Sequence, residues 1–206
     1  MRARRVAPGE SRKELILDAA DRLLAHFGYK KMTVEDIARE AGIGKGTVYL
    51  HFASKEDVVL SHVDRIVRPL FAKLDAIAAQ DRPAADRLRA MLILRVMLRF
   101  DAATPFSQSL SEVLSDLRAG VVERRQRHFA QEAKILAAVL QEGQRLREFR
   151  AHNSPATARV LIAATNSLLP FSLSTAELGK RREVEATAAG IADLLVTGLR
   201  NHPRSR

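Results

Sequence analysis

The sequence contains no cysteine and no tryptophan, and only two tyrosines. Without thiols it has no disulfide, no thiolate metal centre and no cysteine nucleophile. With aromatics at 5%, the interior must be built from Leu, Ala, Ile and Val, a composition that favours helices over strands. No run of about 18 apolar residues occurs, so no membrane-spanning helix is expected. Arg2, Arg4 and Arg5 open the chain without the apolar stretch of a signal peptide behind them. A soluble cytoplasmic protein is the expectation. Catalytic patterns are missing too. There is no Gly-x-Ser-x-Gly elbow, and the six histidines show no His-Glu-x-x-His spacing. The stretch Gly42 to Thr47 lacks the Ser or Thr directly after Lys45 that a phosphate loop requires. No enzymatic activity, cofactor or metal is therefore expected.

What the chain does have is apolar residues at 47% over 206 positions, enough for one sizeable domain or for a small module joined to a larger one. It also carries a formal net charge of +10. A positive field attracts polyanions, so nucleic acid is the first partner to consider and an anionic membrane the second. The charge is not concentrated at one end: residues 1–55 hold 11 Lys/Arg against seven Asp/Glu. An ordered motif must therefore carry any DNA assignment.

The hydrophobic periodicity is helical throughout. Residues 1–10 read as a flexible basic arm, with Pro8-Gly9 opposing early helix formation. Leu15, Ile16, Ala19, Ala20, Leu23, Leu24 and Phe27 recur at three- and four-residue steps and form one apolar face, which Gly28 should end. Thr33 caps a short second helix with Asp36 at the capping-box position. Ile37, Ala38 and Ala41 face inward, and Gly42 stops the helix. A third helix spans about Lys45 to His51, with Val48 and Phe52 inward and Gly44 at its N-cap. Ser54 caps a fourth, reaching about Ala79. Asp81-Arg82-Pro83 marks a break. Further helices are expected over Leu88–Phe100, from Thr104-Pro105 through Leu117, from beyond Gly120 to about Arg147, from Ser154-Pro155 to about Leu173, and from Lys180 to Arg200. The fold class is all-α.

Thr33 to Phe52 carries the chemistry. Two short helices joined by a glycine turn can present the second of them to the major groove, where each base pair displays its own donor and acceptor pattern. Thr33, at a helix N-terminus, offers a hydroxyl and free amides to a phosphate. Lys45, Gly46, Thr47 and His51 lie on the exposed side of the third helix. Gly46 permits close approach, and Thr47 has both a hydroxyl and a methyl. The Tyr49 phenol and the Lys55 ammonium suit backbone phosphates. Lys45, Thr47 and His51 are the candidates for reading bases. The alternative for each residue alone is a solvated surface. For the whole chain the alternative is a non-catalytic helical adaptor, or a binder that reads charge without sequence. Arg2, Arg4 and Arg5 could enter the minor groove or simply remain a tail.

Residues 11–56 resemble the N-terminal domain of the TetR/AcrR family of transcriptional regulators. The resemblance rests on Arg12, Ile16, Leu17, Ala19, Ala20, Phe27, Gly28, Tyr29, Thr33, Val34, Ile37, Ala38, Ala41, Gly42, Gly46, Thr47, Tyr49, Phe52, Ser54, Lys55 and Glu56. Gly44 departs from the family, which usually has Ser there. The resemblance implies a helix-turn-helix DNA-binding domain over about 11–70, and a C-terminal antiparallel helical bundle for ligand binding and dimerisation over 71–206. It further implies a homodimer on a palindromic operator, released by a small-molecule effector. In such a dimer the last two helices form the interface, which points to Leu161, Ile162, Thr165, Leu168 and Leu169 on one helix and Val184, Ala188, Ile191 and Leu195 on the other. The same residues could instead be intramolecular core.

A ligand pocket would lie among Met91, Arg95, Arg99, Phe106, Leu110 and His128. Arg95 and Arg99 are four apart on an otherwise apolar helix, and buried guanidinium groups need an anion. That anion is either a ligand carboxylate or phosphate, or a neighbouring Glu or Asp. For His128 the internal partner would be Glu132, one turn away.

Overall fold

The computed structural model describes residues 11–106, 113–169 and 179–201. Among them the chain is helical, with no strand and one isolated bridge between Phe149 and Arg200. It divides into two compact units. The first comprises Met1–Ile66 and Pro105–Arg124, the second Val67–Thr104 and Arg125–Arg206. Residues 113–124, which the sequence assigns to the second region, thus belong to the first unit's body.

The first unit begins with α1, Arg12–Lys31, capped by the Ser11 hydroxyl, which accepts from the Glu14 amide at 3.3 Å. Ile16, Leu17, Ala19, Ala20, Leu23 and Leu24 form its buried face. Helical geometry breaks at Gly28 (φ 75°, ψ 172°), as the sequence predicts, and a further turn continues to Lys31. Glycine adopts that positive φ without steric cost. α2, Val34–Ala41, starts at the expected capping box: the Asp36 amide donates to Thr33 Oγ1 at 3.1 Å, and the Thr33 amide donates to Asp36 Oδ2 at 3.1 Å. It ends on left-handed Gly42 (φ 68°), with the Ile43 amide donating to the Ala38 carbonyl at 3.0 Å. α3 is Lys45–His51, and α4 is Lys55–Ala78 with Pro69 inside it. The Ser54 hydroxyl accepts from the Asp57 amide at 3.2 Å.

A polar seam ties α1 to α4. Arg65 bonds Asp18 at 2.5 Å, Glu14 at 3.3 Å and also Asp21, while the buried His62 meets Asp21 as well. α6, Arg118–Arg145, enters the first unit with Arg124 paired to Asp64 and Asp57. Gly120 does not separate helices as expected. It lies inside α6, where a Cβ would overlap the Leu60 side chain. Its missing side chain thus permits close packing of α6 on α4.

The second unit is built on α5, Ala84–Ala103, with α7, Ser154–Thr165, and α8, Arg181–Leu199. Bidentate pairs fix α5 antiparallel to α8: Arg89 meets Asp193 at 2.5 and 3.1 Å, and Arg181 meets Asp101 at 2.8 and 3.0 Å. Pro83 gives the start of α5 no side-chain cap, and Glu148 supplies one from a distance by accepting from the Ala85 amide at 3.2 Å. Two expected caps differ. Thr104 starts no new α-helix; its hydroxyl donates back to the Phe100 carbonyl at 2.9 Å, and Thr104–Phe106 forms a 3-10 turn. α7 is capped by Asn153, which accepts from the Ala156 amide at 2.9 Å, while Ser154 is buried and accepts from Gln144 at 3.1 Å. α7 also stops at Thr165 and passes into a 3-10 turn over Asn166–Leu168.

Candidate nucleic-acid interface

α3 is oriented by its buried side. Val48 and Phe52 are 1% and 2% exposed, which anchors the helix against the first unit's core. At about 100° per residue, positions 46 and 50 point farthest from Val48, positions 47 and 49 flank them, and positions 45 and 51 lie closer to the anchored side. Gly46, Tyr49 and Leu50 are exposed as this places them; Lys45 and His51, at the helix ends, are exposed as well, and Thr47 is half-buried. A Cβ on Gly46 would have nothing within 4 Å, so the backbone there is open to close approach. The helix carries no acidic residue in its first turn and His51 in its last.

The flanking candidates are more committed than their sequence suggests. The Thr33 hydroxyl donates to Asp36 Oδ2 at 2.6 Å while it accepts from the Asp36 amide, so its proton already serves the α2 cap. That hydrogen bond, joined by the pairing with Arg39, lowers the Asp36 pKa from its ordinary value. The Lys55 ammonium donates to the Tyr29 carbonyl at 3.2 Å and lies 4.1 Å from the Tyr29 ring centroid. An ammonium has three donors, so Lys55 retains capacity for a phosphate. Tyr29 is buried, and its hydroxyl donates to Glu56 Oε1 at 2.8 Å. Burial, with Glu56 beside it, raises the phenol pKa; the Glu56 pKa falls, chiefly through the Ser54 hydroxyl, its own backbone and Tyr29. The Tyr29–Lys55–Glu56 cluster thus braces the end of α1 against the start of α4 from within.

In the second unit, Arg95 and Arg99 are both buried, and so is the carboxylate between them. Glu132 accepts from Arg95 Nε at 2.8 Å and from both terminal nitrogens of Arg99. Arg95 also donates to Thr165 Oγ1 and, at 3.1 Å, to Asn166 Oδ1. Burial lowers the Arg95 pKa, with Glu132 opposing and Arg99 reinforcing the shift. The anion required by the two arginines is therefore internal. Glu132 serves them, and His128 packs edge-on to Phe71 at 6.1 Å. Met91 is buried core. Phe106 ends the 3-10 turn, while Leu110 and the arginines of residues 1–10 lie outside the described residues.

The residues expected at a dimer interface divide by face. Leu161, Ile162, Thr165, Leu169, Val184 and Ala188 are buried in the second unit's own core, and Leu168, Ile191 and Leu195 are intermediate. The opposite faces of the same helices expose Val160 on α7 and Leu194 on α8, at 60% and 77%. An interface built on these helices would use that exposed side. Among the described residues there is no group of three or more His, Cys, Asp or Glu that could hold a metal. Nor is any helix there long and apolar enough to cross a membrane.

The family model for bacterial regulatory proteins of the tetR family matches residues 16–61, the segment that builds most of α1, all of α2 and α3, and the start of α4. The HTH-type transcriptional regulator BetI of Agrobacterium fabrum is 34% identical over 94 residues, 46% of this chain and 45% of that protein, so the match spans about half the length of that relative. The fatty acid metabolism regulator protein of Bacillus subtilis is 25% identical over 190 residues, 90% of this chain and 94% of its own length. The solved structure of a TetR/AcrR-family transcriptional regulator from Thermobifida fusca superposes with a TM-score of 0.68 at 25% identity, covering 93% of this chain and 100% of that one. With the capped α2, the glycine turn and the outward α3 in place, residues 16–61 form the helix-turn-helix segment that the tetR-family model describes.

Proposed function

We propose that the protein is a sequence-specific DNA-binding repressor acting as a homodimer on a palindromic operator. The observation that carries this reading is α3: a helix anchored by Val48, free of acidic residues and exposed at Lys45, Gly46, Tyr49, Leu50 and His51. Lys45, Thr47 and His51 would contact bases, while Tyr49, Lys55 and the first-turn amides of α2 next to Thr33 would contact phosphates. Two copies related by a two-fold axis would present two α3 helices to half-sites about one helical turn, roughly 34–36 Å, apart. A small molecule held by the second unit would release DNA by favouring a state that does not match this spacing.

The test is competition at fixed salt between duplexes from the DNA flanking the gene and random duplex. Sequence-specific binding typically exceeds non-specific binding by about 10³ or more. A ratio near one on every fragment would instead describe a charge-driven binder, and no binding at all an adaptor.

A further inference from the structure

We propose that Leu50 is a base-reading residue of α3 that selects thymine through its C5-methyl group. The inference rests on the DNA-binding reading above and adds a residue and a base to it. Leu50 is 82% exposed, more than any other large apolar side chain among the described residues. It projects directly away from Val48, one turn beyond Gly46 on the same outward line of the helix. With no side chain at Gly46 and no atom near its open side, nothing on the preceding turn would hold Leu50 back from a surface that α3 approaches.

The charge around Leu50 identifies the kind of surface. Lys45 begins the helix, His51 follows Leu50, and the α3 sequence Lys-Gly-Thr-Val-Tyr-Leu-His contains no acid. An apolar side chain on a helix that also exposes Lys45 and His51 and carries no acid does not suit an apolar protein face, which would desolvate Lys45 without giving it a partner. It does suit a major groove, where phosphates line the edges and the thymine methyl is the one apolar group on the base edges. Leu50 has no hydrogen-bonding atom, so it cannot read the donor and acceptor pattern. Its contribution is confined to excluding water from a methyl group.

Duplexes recovered from a random pool on the intact protein would define the half-site, and each thymine in it would then be replaced by uracil. That exchange removes the methyl and leaves the hydrogen-bonding edge intact. Burial of one methyl corresponds to about 0.8 kcal/mol, or about four-fold in affinity. We expect one thymine per half-site to show a loss of this size with the native protein, and the Leu50→Ala protein to bind thymine and uracil duplexes equally at that position. Ala is well tolerated on an exposed helix face, and an unchanged melting temperature would establish that the variant is folded. An enriched half-site whose thymines all tolerate uracil, or an equal uracil penalty in Leu50→Ala, would overturn this inference and leave the operator reading standing. Recovery of no preferred sequence would overturn both.

Discussion

Tyr29 shows how one buried hydroxyl organises the first unit. Its phenol lies under the Lys55 ammonium and donates to Glu56, so three groups from two helices hold one another in place. Ionising the phenol would put a second negative charge beside Glu56 in a desolvated position, which is why its pKa is raised. A raised folded-state pKa means that the folded protein holds the proton more tightly than the unfolded chain. The associated stability is fully present below the ordinary phenol value of about 10 and is lost as pH rises from there toward the folded value. Glu56 is the opposite case: its lowered pKa contributes stability above the ordinary carboxylate range, and that contribution is lost in acid. Tyr29→Phe should therefore lower stability at neutral pH by about 1.5–3 kcal/mol, the net value of a hydrogen bond to a charged group. It should also flatten the alkaline decline. Thermal unfolding of both proteins from pH 7 to 11 tests this, and parallel curves above pH 10 would contradict it. The Arg95–Glu132–Arg99 cluster makes a related point about legibility. The sequence showed two arginines on an apolar helix and a need for an anion, but Glu132 is 37 positions away in the chain from Arg95. Only the packing of α6 on α5 selects it.

At the scale of the element, the short helices were the most legible part of the chain because their ends are set by local chemistry. Thr33 with Asp36, Gly42 with its positive φ, and Ser54 with Asp57 each act within a few residues, and each occurs where the sequence places it. Boundaries fixed by distant contacts were not legible. Gly120 looks like a helix breaker, yet it sits inside α6 because Leu60 occupies the space of its Cβ. Asn153 and Ser154 have equal local credentials as the cap of α7; Asn153 takes that place, and Ser154 is buried against Gln144. Gly44 is a local defect that the structure can evaluate. As the N-cap of α3 it makes no side-chain hydrogen bond, its φ of −72° and ψ of 147° are open to any residue, and a Cβ would meet only Thr47 Oγ1 at 4.0 Å. Gly44→Ser should therefore fit without strain and cap α3. The expected gain is a few tenths of a kcal/mol, read as a higher urea midpoint at unchanged slope. A lower midpoint would show that this turn requires glycine for a reason its geometry does not contain.

For the whole molecule the question is how the second unit's helices are divided between a protomer's own core and a partner. The apolar period of α7 and α8 marks one face of each, for which the family resemblance implies a dimer interface and the protomer's own core is the alternative. The protomer uses it internally, through Leu161 and Ile162 on α7 and Val184, Ala188, Ala192 and Val196 on α8. Periodicity identifies a buried face but not what buries it, because core and interface obey the same rule. The signal that separates them is the residue out of phase. Leu194 is 77% exposed and Val160 is 60% exposed, each on the solvent side of a helix whose other side is already packed. Gly190 and Gly198, whose Cβ positions meet nothing within 4 Å, flank Leu194 by one turn in each direction and leave room for another helix to approach. If a second copy covers this side, a charge placed there should divide the dimer without disturbing the protomer. Leu194→Arg is expected to sediment as a monomer at concentrations where the native protein is a dimer, with an unchanged helical circular dichroism spectrum. Operator affinity should fall by at least about 100-fold, since each copy would then hold only one half-site and lose the effective concentration supplied by its partner. The salt dependence of the residual binding should be about half as steep, because half as many phosphates are neutralised. A variant that remained dimeric, or a monomer that kept full affinity and slope, would place the interface elsewhere or remove the need for one.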